Sequence, residues 1–242
     1  MDEEAIRQTA QIELVRTIGS RRGWPQPKAL TGESLVQSCL SYAQGGEDLV
    51  LQFLFKWRLL NNEPGCYVDI GCGDPVHISN TYLFYSHGWR GVCVDANPSL
   101  AQRWQKLRPD DAFVAAAVGT TEGETNFYKS KPNVGASRVA DEKPEGNFLD
   151  GVKIPRLRLG RLLAEQLGQQ QIDFLTLDVE GCELDVLQSN DWESWKPKAV
   201  LMECHGFDFE KPYAAPSVEY LRAQGYALTA RIGADVLMAL PA

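Results

Sequence analysis

Tyr67-Val68-Asp69-Ile70-Gly71-Cys72-Gly73-Asp74-Pro75 is a short apolar, β-favouring run that stops at two closely spaced glycines. Val68 and Ile70 suit a buried strand, and Gly71 and Gly73 let the backbone turn tightly and come close to a ligand. In an open α/β sheet such a ligand lies outside the carboxyl ends of the strands. The next run, GVCVDAN, ends at Asp95, 22 residues beyond Gly73. A carboxylate there accepts hydrogen bonds from both hydroxyls of a ribose. Together the two features point to a nucleoside-containing ligand.

Outward from this stretch, short apolar runs alternate with helical patterns: a helix ending at Gly88, GVCVDAN, a helix opened by Pro98, FVAAAVG, a helix over Leu157 to Leu167, IDFLTLDVEG, a helix from Glu183, AVLMECH, a helix opened by Pro216 and closed by Gly225, and two final strand-like runs. Strand and helix alternating at this length predict a doubly wound α/β fold, with a mostly parallel sheet covered on both faces. ETNFYK alternates like an edge strand, whereas SKPNVGASRVADEKPEGNFLDG has no clear period and reads as a long loop, a substrate lid over 130–153.

Upstream, Ile6, Ala10, Leu14 and Ile18 make one helical stripe, and a Gly/Pro-rich connector (Gly23, Pro25, Pro27, Gly32) sets it apart. We therefore expect an N-terminal helical extension over 1–35 and one catalytic domain over 36–242, with a further helical pattern from about Gly46 to Leu60.

The 242 residues are 44% hydrophobic and 23% charged, ordinary for a folded globular chain. The net charge of −8 disfavours DNA, RNA and bare anionic membranes as partners. Six cysteines include no C-x-x-C pair, which argues against a structural zinc site or a disulfide framework. MDEEAIRQTA is acidic where a secretory signal would be basic and apolar, and no apolar run approaches a membrane span. A cytoplasmic location is the expectation, with no metal required.

A nicotinamide-dependent oxidoreductase would share the glycine pair and Asp95. Here, however, Val76 stands where G-x-G-x-x-G has its third glycine, the residue that lets a helix approach under a pyrophosphate. S-adenosylmethionine has no pyrophosphate. The stretches SYAQGGEDLVLQFLF, YVDIGCGDPVHISNTYLFYSHGWRGVCVDANP and IDFLTLDVEGCELDVLQSNDW followed by KPKAVLMECH, running from about Ser41 to Gly206, resemble the FkbM family of methyltransferases.

The resemblance implies the seven-stranded Rossmann-like methyltransferase sheet, S-adenosylmethionine as cofactor, and O-methylation of a hydroxyl on a sugar, glycan or secondary metabolite. Carried over by position, Asp69, Gly71 and Gly73 form the glycine-loop motif and Asp95 the ribose-binding acid. Gln44, Glu47 and Asp48 fall in a Gln-x-Gly-Glu-Asp element, and Asn80 and Thr81 in a Ser-Asn-Thr element. Ala96, Ala117 and Asp178 complete the implied cofactor-binding set. Cys182 stands where the family commonly has an aromatic residue.

The catalytic candidates are Asp178, Glu180 and His205. Carboxylates at a strand's carboxyl end can orient a cofactor amine, face a sulfonium or take a proton from an acceptor hydroxyl, although a helix N-terminus favours acids without any chemistry. Alternation puts Glu203 and His205 on one face of AVLMECH. His205 is either a base or an ordinary surface histidine. Lys129, Lys131, Arg138, Lys153, Arg156, Arg158 and Arg161 gather near the expected lid; they either hold an anionic group of the acceptor or form a solvated helix start. The expected partners are a small-molecule or glycan acceptor and a second copy of the chain in a homodimer. The alternatives are the oxidoreductase and a non-catalytic cofactor-binding module.

Overall fold

The computed structural model describes residues 41–131 and 137–241. The helical extension and connector expected over 1–35 lie outside the described residues, as do positions 132–136 of the expected lid. The expected helical pattern before the first strand is two helices, α1 (Glu47–Leu54) and α2 (Lys56–Leu60), followed by β1 (Cys66–Ile70), α3 (Tyr82–Ser86), β2 (Arg90–Asp95), α4 (Ala101–Leu107) and β3 (Ala112–Ala115). Then come β4 (Ala117–Val118), β5 (Gly123–Tyr128), β6 (Arg138–Ala140) and β7 (Val152–Leu157). The chain closes with α5 (Leu159–Leu167), β8 (Phe174–Leu177), α6 (Glu183–Gln188), β9 (Ala199–Glu203), α7 (Pro216–Ala223), β10 (Ala227–Ile232) and β11 (Asp235–Ala239).

Seven of these strands form one sheet in the order β10-β11-β9-β8-β1-β2-β3. All pairs are parallel except β9 with β11 and β11 with β10. The α/β, mostly parallel seven-stranded architecture expected from the sequence is thus the one observed. Every residue of β1 is buried, as a central parallel strand covered on both faces requires. Its two-residue period sends Val68 and Ile70 into one core, with α5, α6 and α7, and Tyr67 into the other, with α1 to α4. The chain builds β1, β2 and β3 in one direction and then returns to lay β8 on the other side of β1. The order therefore reverses between β1 and β8, where the connections diverge and leave a crevice.

The stretch 117–157 departs from the expected strand-and-loop reading, because it forms a second, four-stranded sheet in the order β4-β7-β5-β6. β5 is not an edge: it pairs antiparallel with both β6 and β7. Its alternation reflects burial of one face, a pattern that paired antiparallel strands share with edges. Within 130–153, β6 and a bridge between Ser130 and Phe148 give order to a segment without sequence periodicity.

Beneath the glycine turn lies a polar layer centred on Arg108, whose side chain is fully buried with that of Asp111, 2.6 Å away. Arg108 also donates to the Tyr67 hydroxyl at 2.8 Å, Thr81 Oγ1 at 3.0 Å and the Pro75 carbonyl at 3.2 Å. One side chain thereby fastens β1, the loop after it and the segment before β3. Removing one partner of a buried pair leaves the other charge without compensation. Arg108→Met should lower the unfolding free energy by about 3–5 kcal/mol, measured by urea denaturation; a change within about 0.5 kcal/mol would show that water replaces the guanidinium.

Candidate functional site

The tip of β1 is squeezed between its neighbours. Gly71 N–H donates to the Val94 carbonyl at 2.8 Å, while Asp178 N–H donates to the Ile70 carbonyl at 3.0 Å. A Cβ on Gly71 would stand 1.8 Å from the Asp178 carbonyl oxygen, and its φ of +83° is one that side chains disfavour. Gly73, at φ +53° with open space where its Cβ would be, presents bare backbone. Its N–H donates to Asp95 Oδ2 at 2.9 Å, and Asn97 N–H donates to Oδ1 at 2.7 Å. The Asp95 carboxylate is thus held by two backbone amides, and each oxygen keeps a lone pair for a ligand hydroxyl. Burial raises its pKa from the ordinary value and the two amides oppose the rise.

These groups open onto a cavity of about 520 Å³, within the range of small-molecule sites. Gly71, Gly73, Asp95, Ala96, Ala117, Asp178 and Glu180 all line it. The far wall belongs to the second sheet, through Phe127, Val139, Arg138 and Arg156. A larger cleft of about 850 Å³ runs past Ile172, Lys198 and Trp195 at the amino ends of β8 and β9, the wrong edge of a parallel sheet for a nucleoside site.

The other expected cofactor residues do not line the cavity. Asp69 faces the α1 to α4 layer, where it accepts from Thr81 Oγ1 at 2.7 Å. Burial, the largest effect, pushes its pKa to about 6, against the hydrogen bond from Thr81 and the charge of Arg108. Asn80 donates to Thr176 Oγ1 at 3.1 Å. Glu47 and Asp48 accept the Gly45 and Tyr42 amides, each at 2.7 Å, and Gln44 is exposed. A bond from Ser79 N–H to the Tyr42 carbonyl at 3.0 Å ties that turn to the loop after β1. These residues brace the floor from behind.

Of the catalytic candidates, Asp178 and Glu180 share the cavity, although not by strand alternation. β8 ends at Leu177, and the backbone turns at Glu180 (φ +56°) and Gly181 (φ +96°). Glu183, which sequence reasoning did not single out, fastens this turn by accepting the Val179 and Gly181 amides at 3.3 and 3.0 Å. His205 stands outside the cavity wall, 71% exposed, with Nε2 3.1 Å from Glu203 Oε1.

Asp178 keeps surface open to the cavity, yet the protein around it thins its hydration. That desolvation, followed by Glu203, Glu180, Asp235 and Asp69, pushes its pKa up to about 7. Asp235 was also missed: it lies directly across from Glu203 in the β9–β11 register, and burial together with Glu47 and Glu203 pushes it to about 6. Only the antiparallel return of the last strand brings it here, so no local pattern marks it. Glu203 Oε2 is buried without a hydrogen-bond partner. Asp178 is therefore surrounded by acids, Glu180 in the cavity and Glu203 and Asp235 beside it, an acidic pole suited to a cation or a shared proton. Among the described residues no group of three or more His, Cys, Asp or Glu could hold a metal ion, and no helix is long and apolar enough to cross a membrane.

The sequence model of the methyltransferase FkbM domain matches residues 69–228, while no curated protein matches the chain. In fold it is similar to the 1,6-didemethyltoxoflavin N1-methyltransferase of Burkholderia thailandensis (12% identity, 97% of this chain and 89% of that one, TM-score 0.43). It is also similar to a TehB-like S-adenosylmethionine-dependent methyltransferase of Corynebacterium glutamicum (12%, 86% and 91%, 0.41), and to an O-methyltransferase of Bacillus cereus (11%, 95% and 90%, 0.42).

A carboxyl whose folded pKa lies above its unfolded value binds more protons folded than unfolded, so it destabilises as pH rises between the two. For Asp178 that window runs from its ordinary 3.8 to about 7. Asp178→Asn should therefore raise the thermal midpoint at pH 8, with the gain shrinking below pH 7 and vanishing near pH 4. A midpoint equal to wild type at pH 8 would show that the carboxylate is not held at a cost.

Proposed function

We propose, from the premise that the chain belongs to the FkbM methyltransferase family, that it methylates a hydroxyl of a sugar, glycan or secondary metabolite. Its cofactor is S-adenosylmethionine, and the cavity fits that group. The glycine turn gives bare backbone for close approach, Asp95 offers acceptors for a ribose, and Ala96, Ala117 and Phe127 leave an apolar slot for a purine. S-adenosylmethionine supplies an electrophilic methyl group on a sulfonium. The carboxylates around Asp178 provide the negative environment that a sulfonium and an ammonium favour.

The observation that carries the reading is that the Asp178 carboxyl lines the same cavity as Asp95; desolvation and the neighbouring acids push its pKa up to about 7. A general base works best when its pKa lies near the working pH. In this reading Asp178 takes the proton from the acceptor hydroxyl as the new carbon–oxygen bond forms. Glu180 shapes the mouth, and His205, held by Glu203, orients the acceptor from the rim. Most of the rate comes from holding the hydroxyl in line with the methyl and its leaving sulfur. The protonated fraction of Asp178 falls as pH rises, so activity should climb with pH and then level.

Two measurements test this. Asp95→Ala should weaken S-adenosylhomocysteine binding by about 1.5–3 kcal/mol, the scale of hydrogen bonds to a charged group, in calorimetry without added metal. Unchanged affinity would remove the ribose role, and binding of a nicotinamide dinucleotide in its place would overturn the proposal. With radiolabelled methyl donor and a panel of sugars, Asp178→Asn should cut turnover by roughly 10²–10⁴ with little change in cofactor affinity. The wild-type kcat/KM should rise about tenfold per pH unit below pH 7 and flatten above it. If Glu180→Gln or His205→Asn has that effect and Asp178→Asn does not, the base is reassigned.

A further inference from the structure

Two arginines, Arg138 and Arg156, line the cavity from the second sheet. Arg156 in β7 is four-fifths buried and held in place, donating to Thr125 Oγ1 at 3.0 Å and Asp141 Oδ1 at 3.3 Å. Arg138 opens β6, pairing through its backbone with Tyr128 of β5. Its guanidinium makes no hydrogen bond or ion pair with any described residue. One fork is pre-set, and the other is unpaired among the described residues.

The cavity's acids do not account for these cations. Asp74 is paired with Arg103 at 2.6 Å, Asp95 accepts two backbone amides, and Asp185 accepts the Thr120 hydroxyl at 2.5 Å. The strongest charged influences on Asp178 are acids, whereas Cys182, farther along the same wall, feels Arg156 and Arg138 as well as Glu183 and Asp185. One cavity thus holds an acidic pole at Asp178 and a separate basic pole on β6 and β7. The cofactor's ammonium and carboxylate share one carbon. With the ammonium drawn to the acidic pole, the carboxylate stays there too, away from the arginines.

We infer that the basic pole is an anion subsite for the acceptor: the molecule methylated carries a phosphate or a carboxylate, gripped by Arg138 and Arg156 while its hydroxyl is presented at Asp178. The inference rests on the methyl-transfer reading. Planar guanidinium forks match both anions in bidentate geometry. In a chain of net charge −8, an anionic ligand gains nothing from the overall field, so its attraction must be local.

The test is calorimetry with glucose 6-phosphate, glucuronate and glucose as probes, each titrated into the protein with and without saturating S-adenosylhomocysteine. At least one charged sugar should bind about tenfold or more tighter than glucose, and the two charged probes tell phosphate from carboxylate. Arg138→Ala, which removes no internal partner, should weaken that probe by about tenfold and leave S-adenosylhomocysteine affinity unchanged; Arg156→Lys, which keeps the charge without the fork, should weaken it less. Equal binding of glucose, no binding of either charged sugar, or charged-probe binding indifferent to Arg138→Ala would overturn the subsite. So would a loss of S-adenosylhomocysteine affinity in Arg138→Ala, which would give the arginine to the cofactor. Anion binding sensitive to Arg138 in a protein that ignores S-adenosylhomocysteine keeps the subsite and overturns methyl transfer.

Discussion

The site depends on the contact between the tip of β1 and the turn that follows β8. A hydrogen bond from Asp178 N–H to the Ile70 carbonyl joins the two strand ends, and the next residue, Gly71, has the Asp178 carbonyl where a side chain would be. Any Cβ at position 71 must push β8 from β1 or force the turn open. Because glycine allows the approach, three consequences follow from one contact. Gly73 N–H reaches Asp95, the Asp178 carboxyl enters the cavity, and the reversal of strand order becomes a crevice of ligand size. The Asp178 and Asp95 ends of the cavity are thereby held relative to each other through backbone contacts.

That arrangement is held against its own electrostatics. Asp235 and Glu203 sit directly opposite on neighbouring strands, a like-charge pairing that destabilises a sheet. Glu180 adopts a left-handed backbone conformation that non-glycine residues seldom take. Such features persist where the surroundings over-determine them. Glu183 clamps the turn from within, and the buried Arg108 layer stiffens the loop after β1 from beneath. The acidic pole is a cost that a cation bound there would offset.

The parallel sheet was legible because its signals are local. CYVDI, GVCVD and FLTL are short apolar runs that only a strand covered on both faces explains, and the glycine pair and Asp95 sit at fixed positions after their strands. The second sheet was not legible. β4 has two residues and β6 three, too few for a period to register, and what stabilises them is pairing with β7 and β5. The same reason hid how the far wall is assembled, although Arg138 and Arg156 stood among the basic residues read as an anion-holding group or a solvated helix start. Phe127, Arg138 and Arg156 reach the cavity only through that pairing, and Asp235 comes within electrostatic reach of Asp178 only through the antiparallel return of β11. The position of Asp69 away from the cavity lining has a different cause. Its place beside the glycines marks it as part of the motif, but the two-residue period of β1 turns it into the opposite layer, toward Thr81. His205 was read by strand alternation, but β9 ends at Glu203 and His205 meets it from the turn that follows; sequence alone carries no measure of how far from the cavity that turn stands.

The two sheets also divide the chemistry. In the proposed reading the parallel sheet's carboxyl edge supplies the groups that meet the cofactor: bare backbone, the Asp95 carboxylate and the negative field around Asp178. None of these distinguishes one acceptor from another. The four-stranded sheet joins the core at the β4–β7 pair, where Ala117 meets Arg156, and leaves most of its residues free of the core's packing. Its surface can change without disturbing β1 or the switch point. Residues that select an acceptor are therefore expected on the element whose sequence is least constrained by the fold, where they are hardest to read from sequence. The pairing of β7 with both β4 and β5 is what turns such loosely patterned segments into a wall with fixed side-chain positions, so that an arginine there can hold a ligand group at a set distance from Asp178.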